Sequence, residues 1–82
     1  METLRFNSSL QEFKHIVKKL ELSSKITNCK EVIKEHDINF RFTFKDVDFN
    51  LSIDTRFLGF QMIKLIDFDF NEYSYKDLLK II

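Results

Sequence analysis

Residues 38–54, INFRFTFKDVDFNLSID, alternate apolar and polar side chains on both sides of the polar pair Lys45 and Asp46, and this pattern predicts the centre of a β-sheet. A period of two is typical of a β-strand with one buried face. If the chain reverses at Lys45 and Asp46, the stretch forms a hairpin whose facing residues have numbers that sum to 91. A slip of one residue would mix the two faces, so the pattern itself favours this register. The predicted pairs on one face are all apolar: Phe44 with Val47, Phe42 with Phe49, Phe40 with Leu51 and Ile38 with Ile53.

The four phenylalanines of this hairpin are open to two interpretations. A sheet that reads RNA displays its aromatic side chains on the exposed face. Here the phenylalanines share the only continuous apolar face of the hairpin, and that face must be covered by helices. We therefore interpret them as core residues, not as a stacking platform.

On the N-terminal side, residues 10–22, LQEFKHIVKKLEL, show the periodicity of an amphipathic helix. Ser9 and Glu12 have the spacing of a capping box, in which each side chain binds the other's backbone N–H. A second helix is predicted over residues 28–36, because Asn28 and Glu31 repeat that spacing. The apolar face of the first helix would carry Leu10, Phe13, Val17 and Leu20, and that of the second Cys29, Val32, Ile33 and His36.

A third strand is predicted over residues 60–70, after a turn at the single glycine, Gly59. Alternation places one set of side chains with the core and the other on the outer side of the sheet. The inward set would be Phe60, Met62, Ile66, Phe68 and Phe70, with Lys64 as an exception. The outward set would be Gln61, Ile63, Leu65, Asp67 and Asp69.

The ends of the chain complete the predicted fold. Residues 3–6 alternate briefly, as in a short edge strand, and Ser74 with Asp77 caps a terminal helix. The apolar residues of that helix are Tyr75, Leu78, Leu79 and Ile82. The fold class is thus α+β, with residues 1–82 forming one compact domain without a linker. The element order is (β)ααβββα, a three-stranded antiparallel meander with helices packed on one face.

Composition limits the classes of function. Thirteen basic and thirteen acidic residues cancel, which argues against direct nucleic-acid binding and against a basic membrane anchor. A single cysteine, no apolar signal core and no long apolar run indicate a cytoplasmic protein with neither secretion nor membrane insertion. Ten phenylalanines, no proline and no alanine suggest an AT-rich genome, such as that of a low-GC bacterium or its phage.

No pattern for catalysis or metal binding stands out. Cys29 and His36 would lie ~10 Å apart on a helix, too far for one zinc ion. The pairs Asp46 with Asp48 and Asp67 with Asp69 lack the further carboxylate of a metal-dependent nuclease and suit a solvated sheet face. No nucleophile elbow occurs, and one glycine is too few for a phosphate loop. We expect a non-enzymatic protein without cofactor or metal.

The outer face of the predicted sheet is the candidate binding surface. Ile63 and Leu65 would project there, and apolar side chains rimmed by carboxylates suit a protein partner with a basic, partly apolar surface. Three alternatives would remove this patch: cover by the N-terminal strand or the last helix, a bulge near Lys64 that changes the facing, or a homodimer formed through these two residues. The predicted partner-binding residues are Asp48, Ile63, Leu65, Asp67 and Asp69, with Phe57 and Tyr73 near the ends of the third strand.

Size and composition favour a small protein that occupies the surface of another macromolecule. The leading hypothesis is a stoichiometric inhibitor encoded by a phage or mobile element, of the anti-CRISPR or anti-defence kind, which would act in the host cytoplasm. Its partner would be another protein, such as a nucleic-acid-processing complex, whose nucleic acid an acidic sheet face could imitate locally. A toxin immunity protein or antitoxin is a close alternative. A different class is a nucleic-acid-binding regulator that uses the lysine face of helix 1: Lys14, Lys18, Lys19 and Lys25.

Overall fold

A computed structural model describes residues 9–56 and 63–82, which form a small α+β domain. Five strands make one antiparallel sheet in the order β1-β2-β3-β4-β5, so each strand pairs with the next along the chain. The predicted strand at residues 3–6 lies outside the described residues. The elements are α1 (Ser9–Leu22), β1 (Ile26–Ile33), β2 (Asp37–Phe44), β3 (Val47–Asp54), β4 (Lys64–Asp67), β5 (Glu72–Tyr73) and α2 (Tyr75–Ile81).

The central hairpin has the predicted register. β2 and β3 pair with Phe42 opposite Phe49 and Phe40 opposite Leu51. In every pair from Asp37 with Asp54 up to the tip, the two residue numbers sum to 91, as predicted. The two tip residues, Lys45 and Asp46, both have positive φ, 50° and 63°. Positive φ at both positions is the signature of a type I′ turn, whose twist matches that of the strands it joins.

Both helices lie on one face of the sheet and cover the hairpin phenylalanines. Helix α1 and the capped terminal helix were predicted, and both are confirmed: the Ser74 side chain accepts a hydrogen bond of 3.4 Å from the Asp77 backbone N–H. Leu10 is more exposed than predicted, and Ile16 takes its place in the core. The core consists of Phe13, Ile16, Val17, Leu20, Ile26, Phe40, Phe42, Phe44, Phe49, Leu51, Ile53, Ile63, Leu65 and Leu78.

The prediction of a second helix at residues 28–36 is wrong, because this segment contains β1, an edge strand paired with β2. Its β-branched residues, such as Val32 and Ile33, suit a pleated strand, and pairing with β2 outweighs the local capping signal. Asn28, with φ of 55°, marks a bulge between Thr27 and Lys30. Cys29 is exposed, not buried in a helix interface, and His36 is exposed in the connection to β2.

The predicted facing of the third strand is also wrong. The strand, β4, has four residues, and Leu65 lies opposite Leu51 while Asp67 lies opposite Phe49. Residues 63, 65 and 67 therefore point toward the helices, and the alternate set points away from them. Phe60 and Met62 lie outside the described residues. Lys64, the exception in the predicted inward set, is exposed on the opposite face, as a charged side chain requires.

Candidate functional site

The outer sheet face is the face turned away from α1 and α2. Paired residues of all five strands place a row of side chains across it. Among the described residues no helix lies on this face, since the core contacts of both helices are with the opposite one. The row consists of Lys30, Arg41, Asn50, Ile66 and Glu72.

The turn that follows β4, residues 67–71, is built around the carboxylate of Asp67. One carboxylate oxygen accepts hydrogen bonds from the backbone N–H groups of Asp69, at 2.9 Å, and Asn71, at 3.0 Å. The other accepts from the Asn71 side-chain amide, at 3.0 Å, and from the Tyr73 hydroxyl, at 2.8 Å. A carboxylate with four donors fixes the backbone on both sides of it. We call residues 67–71 the aromatic turn, because Phe68 and Phe70 are its two aromatic members and both are exposed.

These donors also set the ionisation of the two acidic groups. The Asn71 side-chain hydrogen bond contributes most to lowering the pKa of Asp67 to about 2, with further contributions from Asn71 N–H, Tyr73 and Asp69. The hydrogen bond to Asp67 in turn raises the pKa of Tyr73. The Tyr73 ring packs edge-on against Phe49, with 5.2 Å between ring centroids. Asp67 therefore organises the turn and is not a free carboxylate for a partner.

The aromatic turn displays two phenylalanines to solvent. Phe68 is 56% exposed and Phe70 is 83% exposed. Phe70 has φ of 66°, in the left-handed region that a bulky residue without a polar side chain rarely adopts. Such strain persists only where the surroundings impose it, and it is concentrated at functional sites. The turn thus holds a large apolar side chain outward at a cost in stability.

Replacing Phe70 with glycine is expected to raise the free energy of unfolding by roughly 0.5–1 kcal/mol, because relief of the left-handed strain exceeds the added chain entropy. Urea denaturation measures this change. Phe68→Gly is the matched control, since Phe68 is not among the residues with positive φ; it should lower stability. Equal losses in the two variants would contradict the assignment of strain to Phe70.

Two shallow concavities flank Phe68 on the outer sheet face. The first, of about 340 Å³, is lined by Lys30, Arg41, Thr43 and Asp48 among others. The second, of about 240 Å³, lies between Ile66 and the exposed phenylalanines. Arg41 lines both, and its guanidinium carbon lies 5.6 Å from the centroid of the Phe68 ring. The face therefore combines apolar, cationic and hydrogen-bonding groups in a small area.

The structure corrects the predicted exposure of three of the seven partner-binding residues. Ile63, Leu65 and Asp67 are buried with the core, so none of them forms an exposed patch. Asp48 and Asp69 are exposed as predicted, and Asp48 accepts a 2.6 Å hydrogen bond from the Thr43 hydroxyl. Tyr73 is partly exposed on the inner side, and Phe57 lies outside the described residues.

Sequence reasoning missed the exposed groups that matter here. It placed Arg41 on the correct side of the hairpin but not in the binding surface, and it placed the two phenylalanines of the turn with the core. The signal that could have revealed them was Lys64, which fits the predicted strand only if the facing is reversed. Reversal puts Phe68 and Phe70 outside.

The four lysines of the nucleic-acid alternative are all exposed, but they lie in different surroundings. Lys14 and Lys18 line a groove between α1 and β1 that also contains Glu21 and Glu31. The Lys25 ammonium donates a 2.7 Å hydrogen bond to the carbonyl of Ile81, at the end of α2. Acidic neighbours in the groove offset the positive charge of this helix face.

Comparison with protein-family models, curated proteins and solved structures gives no match to this chain. Within residues 9–56 and 63–82, no three His, Cys, Asp or Glu side chains come together in a group that could hold a metal ion. None of the helices in that part of the chain has the length and apolar character needed to cross a membrane.

Proposed function

We propose that this protein is a non-enzymatic interaction domain that binds another protein through the aromatic turn and the adjoining outer sheet face. The observation that supports this most directly is the exposure of Phe68 and Phe70 on a turn that Asp67 fixes with four hydrogen bonds. A rigid turn that exposes two aromatic side chains has already lost the freedom that binding would otherwise remove.

Burial of the two exposed phenylalanines against a partner would be favourable in free energy. Fully burying a phenylalanine side chain contributes roughly 1.5–3 kcal/mol, and aromatic side chains are frequent anchors of protein interfaces. Phe70 in addition carries backbone strain, although asparagine or glycine would adopt the positive φ of this turn at lower cost. Contact with a partner is a function that only the large side chain can perform.

The more specific form of the proposal is a stoichiometric inhibitor, encoded by a phage or mobile element, that acts in the host cytoplasm. A length of 82 residues and a composition skewed toward residues with A/T-rich codons support this form. A toxin immunity protein or antitoxin would use the same kind of surface. A homodimer would instead bury the two phenylalanines against a second copy of the chain.

The test is affinity capture from nuclease-treated lysates of low-GC bacteria, at moderate salt, after light scattering has established the oligomeric state of the free protein. Three baits are compared: wild type, Phe68→Ser with Phe70→Ser, and Leu22→Ser. Leu22 is 78% exposed at the end of α1, so its variant controls for removing an exposed apolar side chain elsewhere.

A stoichiometric protein retained by wild type and Leu22→Ser, but lost from the double variant, is the expected result. Retention by all three baits would contradict the role of the aromatic turn. Disappearance of every captured protein on nuclease treatment would favour the lysine face of α1 instead, since phosphate contacts depend on the nucleic acid. A dimer that dissociates in the double variant would assign the turn to self-association.

A further inference from the structure

The outer sheet face contains two cations directly opposite each other. Lys30 on β1 pairs with Arg41 on β2, and both side chains are exposed. Like charges at directly opposite positions of an antiparallel pair are destabilising. Among the described residues neither side chain takes part in an ion pair. The fold thus tolerates an uncompensated positive charge at this point of the face.

Arg41 contacts the aromatic turn and remains available to an anion. Its guanidinium lies over the Phe68 ring, 5.6 Å from the centroid. A contact with one ring leaves N–H groups of the guanidinium available to a carboxylate, because arginine carries five donors and, among the described residues, Arg41 forms no ion pair. The ring also restricts the motion of the side chain, so less conformational entropy is lost when an anion binds.

The carboxylates on this side of the sheet do not neutralise the two cations. Asp48 lines the same concavity, and its hydrogen bond is with the Thr43 hydroxyl. Glu72, the acidic member of the outer row, lines neither concavity, and Asp67 belongs to the buried inner set and is bonded within the aromatic turn. The first concavity therefore has two cations and one carboxylate, whereas the second has an apolar wall formed by Ile66, Phe68 and Phe70.

We propose that the partner segment bound by the aromatic turn is acidic and apolar: an Asp or Glu carboxylate binds Arg41 and Lys30, and a neighbouring apolar side chain packs between Phe68 and Phe70. This inference depends on the proposed function and specifies the chemistry of its partner. It reverses the expectation of a basic partner, which rested on exposed positions for Ile63, Leu65 and Asp67. A protein segment is favoured over nucleic acid because the two cations adjoin an apolar wall and the chain has no net positive charge.

The test is selection from a displayed library of random peptides against four baits: wild type, Arg41→Gln, Arg56→Gln, and Phe68→Ser with Phe70→Ser. Arg56 already pairs with Asp54, so Arg56→Gln is a control for loss of an arginine elsewhere. Wild type and Arg56→Gln should enrich peptides with Asp or Glu beside an aromatic or branched apolar residue. The best synthetic peptide should bind Arg41→Gln about ten-fold or more weakly, as expected for a lost bidentate contact.

The other outcomes separate the two proposals. Peptides that require Phe68 and Phe70, but lack acidic residues and bind Arg41→Gln equally well, overturn the inference and leave the proposed function intact. Peptides that bind the phenylalanine double variant as well as wild type, or no enrichment at all, overturn both. A fluorescent single-stranded oligonucleotide that binds through Arg41 more tightly than the best acidic peptide would identify the anion as phosphate and overturn the inference.

Discussion

Replacing Phe42 with alanine should remove about 3–5 kcal/mol from the free energy of unfolding. Phe42 is 1% exposed in β2, and its ring centroid lies 5.9 Å from that of Phe40 and 5.5 Å from that of Phe49. Truncation would leave a cavity between the ring of Phe40, on the same strand, and the ring of Phe49, on β3. Native domains have a total stability of about 5–15 kcal/mol, so this single truncation removes a large fraction of it.

The measurement is urea denaturation followed by circular dichroism, with Phe68→Ala as the matched control. Phe68 is the same residue type on the other face of the sheet, and its alanine variant should lose about 1 kcal/mol or less, mainly from the contact with Arg41. Comparable losses in the two variants would contradict the division of phenylalanines into core and outer sets.

For the hairpin, the division into core and outer residues was predictable because the residues that determine it are neighbours in the sequence. Apolar and polar residues alternate on each side of the tip, and a two-residue tip leaves one register in which all of the apolar residues share a face. Even without an Asn-Gly sequence, Lys45 and Asp46 adopt positive φ, since the pairing on both sides of the tip imposes it. The strong pattern thus determined the turn.

The same reasoning failed for β1 because an edge strand does not show a clear alternation of apolar and polar residues. Most of its side chains are exposed, and a bulge at Asn28 shifts the alternation. What remains resembles a short amphipathic helix with Asn28 and Glu31 at capping positions. The strand forms because β2 supplies backbone partners along its length, and this long-range contribution is invisible in the local sequence.

The candidate site was out of reach for a related reason. The orientation of β4 depends on whether its odd-numbered or its even-numbered side chains point toward the helices. Both sets contain several apolar residues, so the sequence does not decide between them. The choice is made by the pairing of Leu65 with Leu51 and by the hydrogen bonds that bury Asp67. Donors from Asn71 and Tyr73 make an inward aspartate acceptable, although burial of an unpaired one would be prohibitive. With that choice, Phe68 and Phe70 become exposed.

Asp67→Asn should lower Tm by roughly 5–10 °C at neutral pH, because an amide cannot accept all the hydrogen bonds that the carboxylate accepts. Asp69→Asn is the matched control: it removes the same charge from an exposed position in the same turn and should change Tm little.

The sign of the pH dependence follows from the pKa of Asp67, about 2 against an ordinary value of 3.8. A lowered pKa contributes stability that is present above pH 3.8 and is lost as the pH falls through 2. The Tm difference between wild type and Asp67→Asn should therefore be constant near neutrality and shrink in acid, as followed by thermal melts across that range. A difference that persists undiminished at pH 2, or an equal loss in Asp69→Asn, would show that the Asp67 carboxylate does not hold the aromatic turn in place.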